Sequence, residues 1–123
     1  MSARVLIVDD QSDLREPIIE KLSQMGISAI GAGDGIEALE LLAKNPGIAV
    51  MLSDIKMPRM GGHDLALEAT KRYPHLKVML MTGFNEDTIP AALMRSRQIR
   101  TLFKPFALNG MAELVKQMLV APD

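Results

Sequence analysis

Three acids, a hydroxyl and an amine stand at the ends of apolar runs in this chain: Asp9, Asp10, Asp54, Thr82 and Lys104. Asp9 and Asp10 close Val5-Leu6-Ile7-Val8. Asp54 comes at the end of the run that begins Ile48-Ala49-Val50-Met51-Leu52, Thr82 follows Val78-Met79-Leu80-Met81, and Lys104 closes the run at 99–103. Each run reads as a strand, and in an open parallel sheet the carboxyl ends of the strands lie along one edge. Residues distant in sequence then share a pocket. Carboxylates in such a pocket suit a divalent cation, and an ammonium beside a hydroxyl suits the oxygens of a phosphoryl group.

The elements that must position these groups alternate along the chain. Strands are expected at 4–9, 27–31, 48–53, 77–81 and 99–103. Helices are expected at 12–25, from 34 up to Asn45-Pro46-Gly47, and at 63–72, 87–95 and 108–120. In the first helix Ser12 can cap, Leu14, Ile18, Ile19 and Leu22 recur at helical spacing, and Gly26 fits a stop. Pro17, about a turn inside that helix, costs a backbone hydrogen bond or bends it, and a local kink is expected there, whereas Pro90 near a helix start is tolerated. Unbroken apolar strands are buried on both faces, and helical crossovers force them parallel. The expected architecture is α/β, a three-layer αβα sandwich around a five-stranded parallel sheet, with residues 1–123 as a single domain.

Composition removes several function classes. With 48% hydrophobic and 24% charged residues the chain can build a packed core. A net charge of −1 and a pI near 6.1 leave no electrostatic footprint for nucleic acid. The absence of cysteine excludes disulfides, thiolate metal sites and Cys nucleophiles. No stretch approaches the ~20 apolar residues of a membrane span, and no signal peptide is visible, so a cytoplasmic location without membrane contact is expected. Met51, Met79 and Met81 are expected in the core, and Met57, Met60 and Met94 partly exposed. His63 and His75 read as isolated surface residues, and Arg95, Arg97 and Arg100 as a solvated face.

Taken together, Asp9-Asp10, Asp54-x-x-Met57-Pro58-x-Met60-x-Gly62, Thr82-Gly83 and Lys104-Pro105-Phe106 resemble, in order and spacing, the signature of the receiver domain of two-component response regulators. The match covers essentially the whole chain. It implies a flavodoxin-like fold with strand order 2-1-3-4-5 and a cis Lys104–Pro105 bond. It also implies that Asp54 accepts a phosphoryl group from a phosphohistidine of a histidine kinase or histidine phosphotransfer protein. By the same resemblance Mg2+ is the cofactor, held by Asp10 and Asp54 directly, by Asp9 through water and by the Lys56 main-chain carbonyl. Thr82 and Lys104 contact the phosphoryl oxygens. Such a chain is a signalling switch, an enzyme only toward its own aspartyl phosphate, and it presents the surface of its fourth helix, fifth strand and fifth helix to an output protein or linked domain.

One position departs from the family. Most receivers carry an aromatic three residues before the lysine that swings inward on activation, and here that position is Thr101. Phe103, next to the lysine, is expected to face the other side of the strand and so not to replace it. Phe84 and Lys56 occupy positions that flank the phosphate in this family, and Phe84 is expected to restrict water access. Two other classes fit the residues less well. A pseudo-receiver acting as an unphosphorylated interaction module tends to lose the acids or the lysine, which this chain keeps. A flavodoxin-like carrier or aspartate phosphatase needs a Ser/Thr/Gly-rich phosphate loop or two aspartates separated by one residue before a Thr, and both are absent.

Overall fold

β1 (Val5–Val8), β3 (Val50–Asp54) and β4 (Lys77–Gly83) are the central strands, and their apolar runs are unbroken because both faces of the sheet are covered. The computed structural model describes residues 3–83 and 90–120, the side chains of Ala92 and Met94 excepted. β2 (Ala29–Ala32) and β5 (Ile99–Lys104) are the edges of a five-stranded parallel sheet in the order β2-β1-β3-β4-β5.

Alternation along the strands divides the core in two. Leu6, Val8, Met51, Val78 and Leu80 pack beneath α2 (Gly35–Lys44) and α3 (Gly62–Arg72), with Leu93 of α4 (Ala91–Met94). Val5, Ile7, Leu52, Met79 and Met81 pack beneath α1 (Ser12–Gln24) and α5 (Leu108–Val120). Each fully buried Leu or Ile among them contributes about 1.5–3 kcal/mol relative to exposure. The result is the expected flavodoxin-like three-layer sandwich. It holds the ends of β1, β3, β4 and β5 rigidly along one edge.

Local chemistry sets the boundaries. Gly26 takes φ 78, and the Gly26 and Ile27 N–H groups donate to the Ser23 and Leu22 carbonyls at 3.0 and 2.9 Å, which closes α1. Ile27 is consumed by that closure, so β2 begins two residues later than its apolar pattern implies. Ser12 is the first helical residue rather than the cap. Gln11 takes the extended cap conformation without a side-chain bond, and its carbonyl accepts from Leu14 and Arg15. α1 continues through Pro17 as one helix. The Lys104–Pro105 bond is cis.

β4 and β5 differ from expectation in a way that matters. β4 runs to Gly83, so Thr82 lies inside the strand, in register with Phe103 of β5. Thr101 is in register with Leu80, a member of the α2–α3 core. Thr101 and Phe103 are two residues apart and therefore share a face, opposite Leu102, which packs on the α1–α5 side. The expectation that Phe103 faces away from the Thr101 position is thus corrected: period-two alternation separates Phe103 from Lys104, not from Thr101. Phe103 is 61% exposed. Phe84 and the first part of the helix expected at 87–95 lie outside the described residues, as does the side chain of Met94. Met57 and Met60 are half-buried against the α2–α3 core, and Met51, Met79 and Met81 are buried.

Candidate functional site

Three strand ends meet where their hydrogen-bond ladders stop. Asp9 leaves β1 with its N–H still bonded to Ala32 of β2 at 3.0 Å, and its side chain is buried. Asp10 follows and is exposed. Asp54 is the last residue of β3. Carboxylate oxygens of Asp9, Asp10 and Asp54 lie within 4.8 Å of one another, as the convergence of strand ends requires.

Donors hold each acid in place. The Ile55 N–H and the Lys104 ammonium both donate to Oδ1 of Asp54, each at 2.9 Å. The Ser53 hydroxyl donates to the Asp54 carbonyl at 2.8 Å. The Gln11 N–H donates to Oδ1 of Asp9 at 3.0 Å, and the Arg15 guanidinium to the Asp9 carbonyl at 2.7 Å. Lys104 is the last residue of β5, and its side chain retains partial exposure. Thr82 is buried, and its hydroxyl donates to the Gly83 carbonyl at 3.3 Å.

Close backbone approach at Gly62 completes the floor. Its N–H donates to the Ile55 carbonyl at 2.8 Å, and a Cβ there would collide with the Asp54 carbonyl oxygen and come within 2.8 Å of Ile55 Cα. The first turn of α3 is therefore pressed onto the end of β3. His63, expected at the surface, is half-buried in that turn, and its Nε2 is enclosed with no hydrogen-bond partner among the described residues. His75, Arg95, Arg97 and Arg100 are exposed.

Electrostatics separates the three acids. Burial pushes the Asp9 carboxyl above the usual aspartate value of 3.8, with the negative charges of Asp54 and Asp10 adding to the rise and the Gln11 N–H and Lys104 opposing it. A raised acid binds its proton more tightly in the folded than in the unfolded chain. Without a divalent cation the stability of the fold therefore falls as pH rises from 3.8 through the raised value, and the penalty is fully present above it. Asp9→Asn keeps an acceptor for Gln11 without the charge. In urea denaturation with a chelator, Asp9→Asn is expected to be more stable than the wild type at pH ~7, with the difference disappearing below the ordinary aspartate range. A less stable variant at neutral pH would show that the charge is already compensated.

Oxygen donors of this kind and density fit Mg2+, which takes a few carboxylates and retains waters rather than requiring a full protein cage. Comparison with known proteins gives the family: residues 5–116 match the response regulator receiver domain. The chain belongs to that family. This receiver is 33% identical over 118 residues to the response regulator receiver protein CpdR of Brucella abortus (strain 2308), covering 96% of this chain and 98% of that protein. It is 34% identical over 123 residues to the sensor kinase CckA of the same strain, covering 99% of this chain and 13% of the kinase. A solved receiver domain protein from Clostridium thermocellum superposes with a TM-score of 0.84 at 28% identity, over 95% of this chain and 94% of that one. Receivers are signalling switches rather than classical enzymes. Among the described residues no helix is long and apolar enough to cross a membrane.

The sequence motifs pointed to the acids, Thr82 and Lys104, and the fold gathers Asp9, Asp10, Asp54 and Lys104 directly. Arg15, Ser53 and the Asp34–Arg59 pair escaped the sequence reading. Arg15 crosses over Gly31, where a Cβ would come within 2.7 Å of its Cδ. A glycine in β2 was the available signal for that close approach.

Proposed function

We propose that this receiver, a single domain over 1–123 placed in the cytoplasm, takes a phosphoryl group onto Asp54 from the phosphohistidine of a sensor kinase or phosphotransfer protein. The observation that carries this reading is the Lys104 ammonium set 2.9 Å from the Asp54 carboxylate within the acidic cluster. Oδ1 of Asp54 is engaged by Ile55 and Lys104, so Oδ2 is assigned as the attacking oxygen. As the Oδ2–P bond forms, the P–N bond to the donor breaks, and the histidine nitrogen leaves with the bonding pair. Asp10, Asp54 and the Lys56 carbonyl would hold Mg2+, with Asp9 acting through water. When bound, the ion supplies positive charge against the mutual repulsion of the acids and the oxygens of the incoming group.

Lys104 then exchanges its contact with Asp54 for a phosphoryl oxygen, and Thr82 turns its hydroxyl from the Gly83 carbonyl to another. Movement at Thr82 displaces its register partner Phe103, so the surface of α4, β5 and α5 presents a different face to an output partner. Incubation with acetyl phosphate tests the reading on a phosphate-affinity gel. A retarded band that requires Mg2+ and is lost with a chelator is expected. No band, with no beryllofluoride binding, would instead make the chain an interaction module that works unphosphorylated.

A further inference from the structure

The loop between β3 and α3 carries the Lys56 carbonyl, and it is tied at both ends. At its start the Ile55 N–H meets the Asp54 carboxylate, and the Ile55 carbonyl accepts from Gly62. Farther along, the loop is fastened to the beginning of α2. The Arg59 guanidinium forks onto the Asp34 carboxylate, Nε to Oδ2 at 2.8 Å and Nη2 to Oδ1 at 3.0 Å. Beside it the Gly35 N–H donates to the Met60 carbonyl at 3.2 Å. Met60 lies so close over Gly35 that a Cβ there would come within 2.7 Å of its Cγ.

Arg59 adopts φ 64, the left-handed conformation that a residue with a side chain enters only against steric cost. Glycine is the ordinary occupant of such a position. Here the Met60 N–H donates to the Pro58 carbonyl at 2.7 Å, closing the backbone turn around Arg59, while its guanidinium is clasped on Asp34. The other half of the clasp is preorganised. Asp34 caps α2 by accepting from the Glu37 N–H at 2.9 Å, and the Glu37 carboxylate accepts from the Gly33 N–H at 2.6 Å. Hydrogen bonding by Arg59, then by the Glu37 N–H, holds the Asp34 carboxyl below the usual aspartate value, so it is ionised throughout the neutral range.

We infer that Asp34 and Arg59 are positioning residues for phosphotransfer: their clasp, 25 residues apart in sequence, sets the backbone of the loop that offers the Lys56 carbonyl to the cation. The inference rests on the phosphoacceptor reading above. Neither residue touches the reacting atoms, so their effect appears in cation affinity rather than in the chemical step.

The test measures Mg2+ binding by calorimetry and, separately, the Mg2+ dependence of phosphorylation by acetyl phosphate. Arg59→Ala removes the fork. Asp34→Ser removes it while keeping a residue that caps helices well. Each variant is expected to raise the half-saturating Mg2+ concentration by about threefold to tenfold, with the rate at saturating Mg2+ unchanged. The double variant is expected to match the single ones, because the clasp can be lost only once. A midpoint unchanged in both single variants, with lower stability in urea, would overturn the inference and leave the clasp a purely structural tie. A wild type that binds Mg2+ but takes no phosphate would overturn the phosphoacceptor reading alone, and the clasp is then judged on the binding midpoint. A wild type that binds no Mg2+ overturns both.

Discussion

Asp54→Asn is expected to abolish phosphate incorporation and to leave the fold standing. The amide has the shape of the carboxyl, and its oxygen can still accept from the Ile55 N–H and the Lys104 ammonium, which meet Oδ1 at 2.9 Å. What it lacks is an ionised oxygen able to form the bond to phosphorus. The surroundings favour tolerance of the change. Two unit charges about 4 Å apart interact by about 4 kcal/mol at an effective dielectric near 20, and removing the Asp54 charge relieves its repulsion with Asp9 and Asp10 while surrendering its attraction to Lys104. These terms oppose each other, and the Lys104 side chain is partly exposed and screened. Stability in urea without a divalent cation is therefore expected to stay within about 1 kcal/mol of the wild type. On a phosphate-affinity gel no retarded band is expected at any acetyl phosphate concentration that saturates the wild type. A retained band would move the acceptor to another residue, with Asp10 the first to examine.

Gly62→Ala is expected to cost about 3 kcal/mol of stability and to weaken the site as well. The added methyl would strike the Asp54 carbonyl oxygen and approach Ile55 Cα to 2.8 Å, and both are backbone that cannot swing aside. Either the first turn of α3 lifts from the sheet, or the end of β3 moves and carries the acceptor with it. The first breaks the Gly62-to-Ile55 hydrogen bond, and the second disturbs the cluster of acids. Gly110 supplies the control. It lies within α5 with nothing inside 4 Å of its would-be Cβ. Gly110→Ala is expected to stabilise by about 0.5–1 kcal/mol, since it gains helix propensity without a clash. Urea denaturation of the two variants side by side separates close contact from glycine's general permissiveness. A Gly62→Ala protein as stable as the wild type would show that the turn yields at no cost.

Sequence alone determined the class of fold, because the apolar runs of β1, β3 and β4 have no polar face to expose and the helices between them have one. It also determined which residues stand at the site edge, since chemistry at the end of a strand needs only the strand to be located. Asp9, Asp10, Asp54 and Lys104 were legible for that reason. Contacts across the fold were not. Asp34 and Arg59 are each ordinary surface charges when read along the chain, and only the packing of the β3–α3 loop against α2 makes them a pair. Ser12 carries a good capping side chain, yet the way the chain leaves Asp9 gives the cap to Gln11. Nothing along the chain marks His63 for burial, and the first turn of α3, pressed against the end of β3, encloses its Nε2. Phe103 lies on the face of β5 opposite Leu102 and in register with Thr82, a side that alternation along the strand specifies. Local pattern reports which face a residue prefers, while hydrogen-bond register and close backbone approach decide what it meets there.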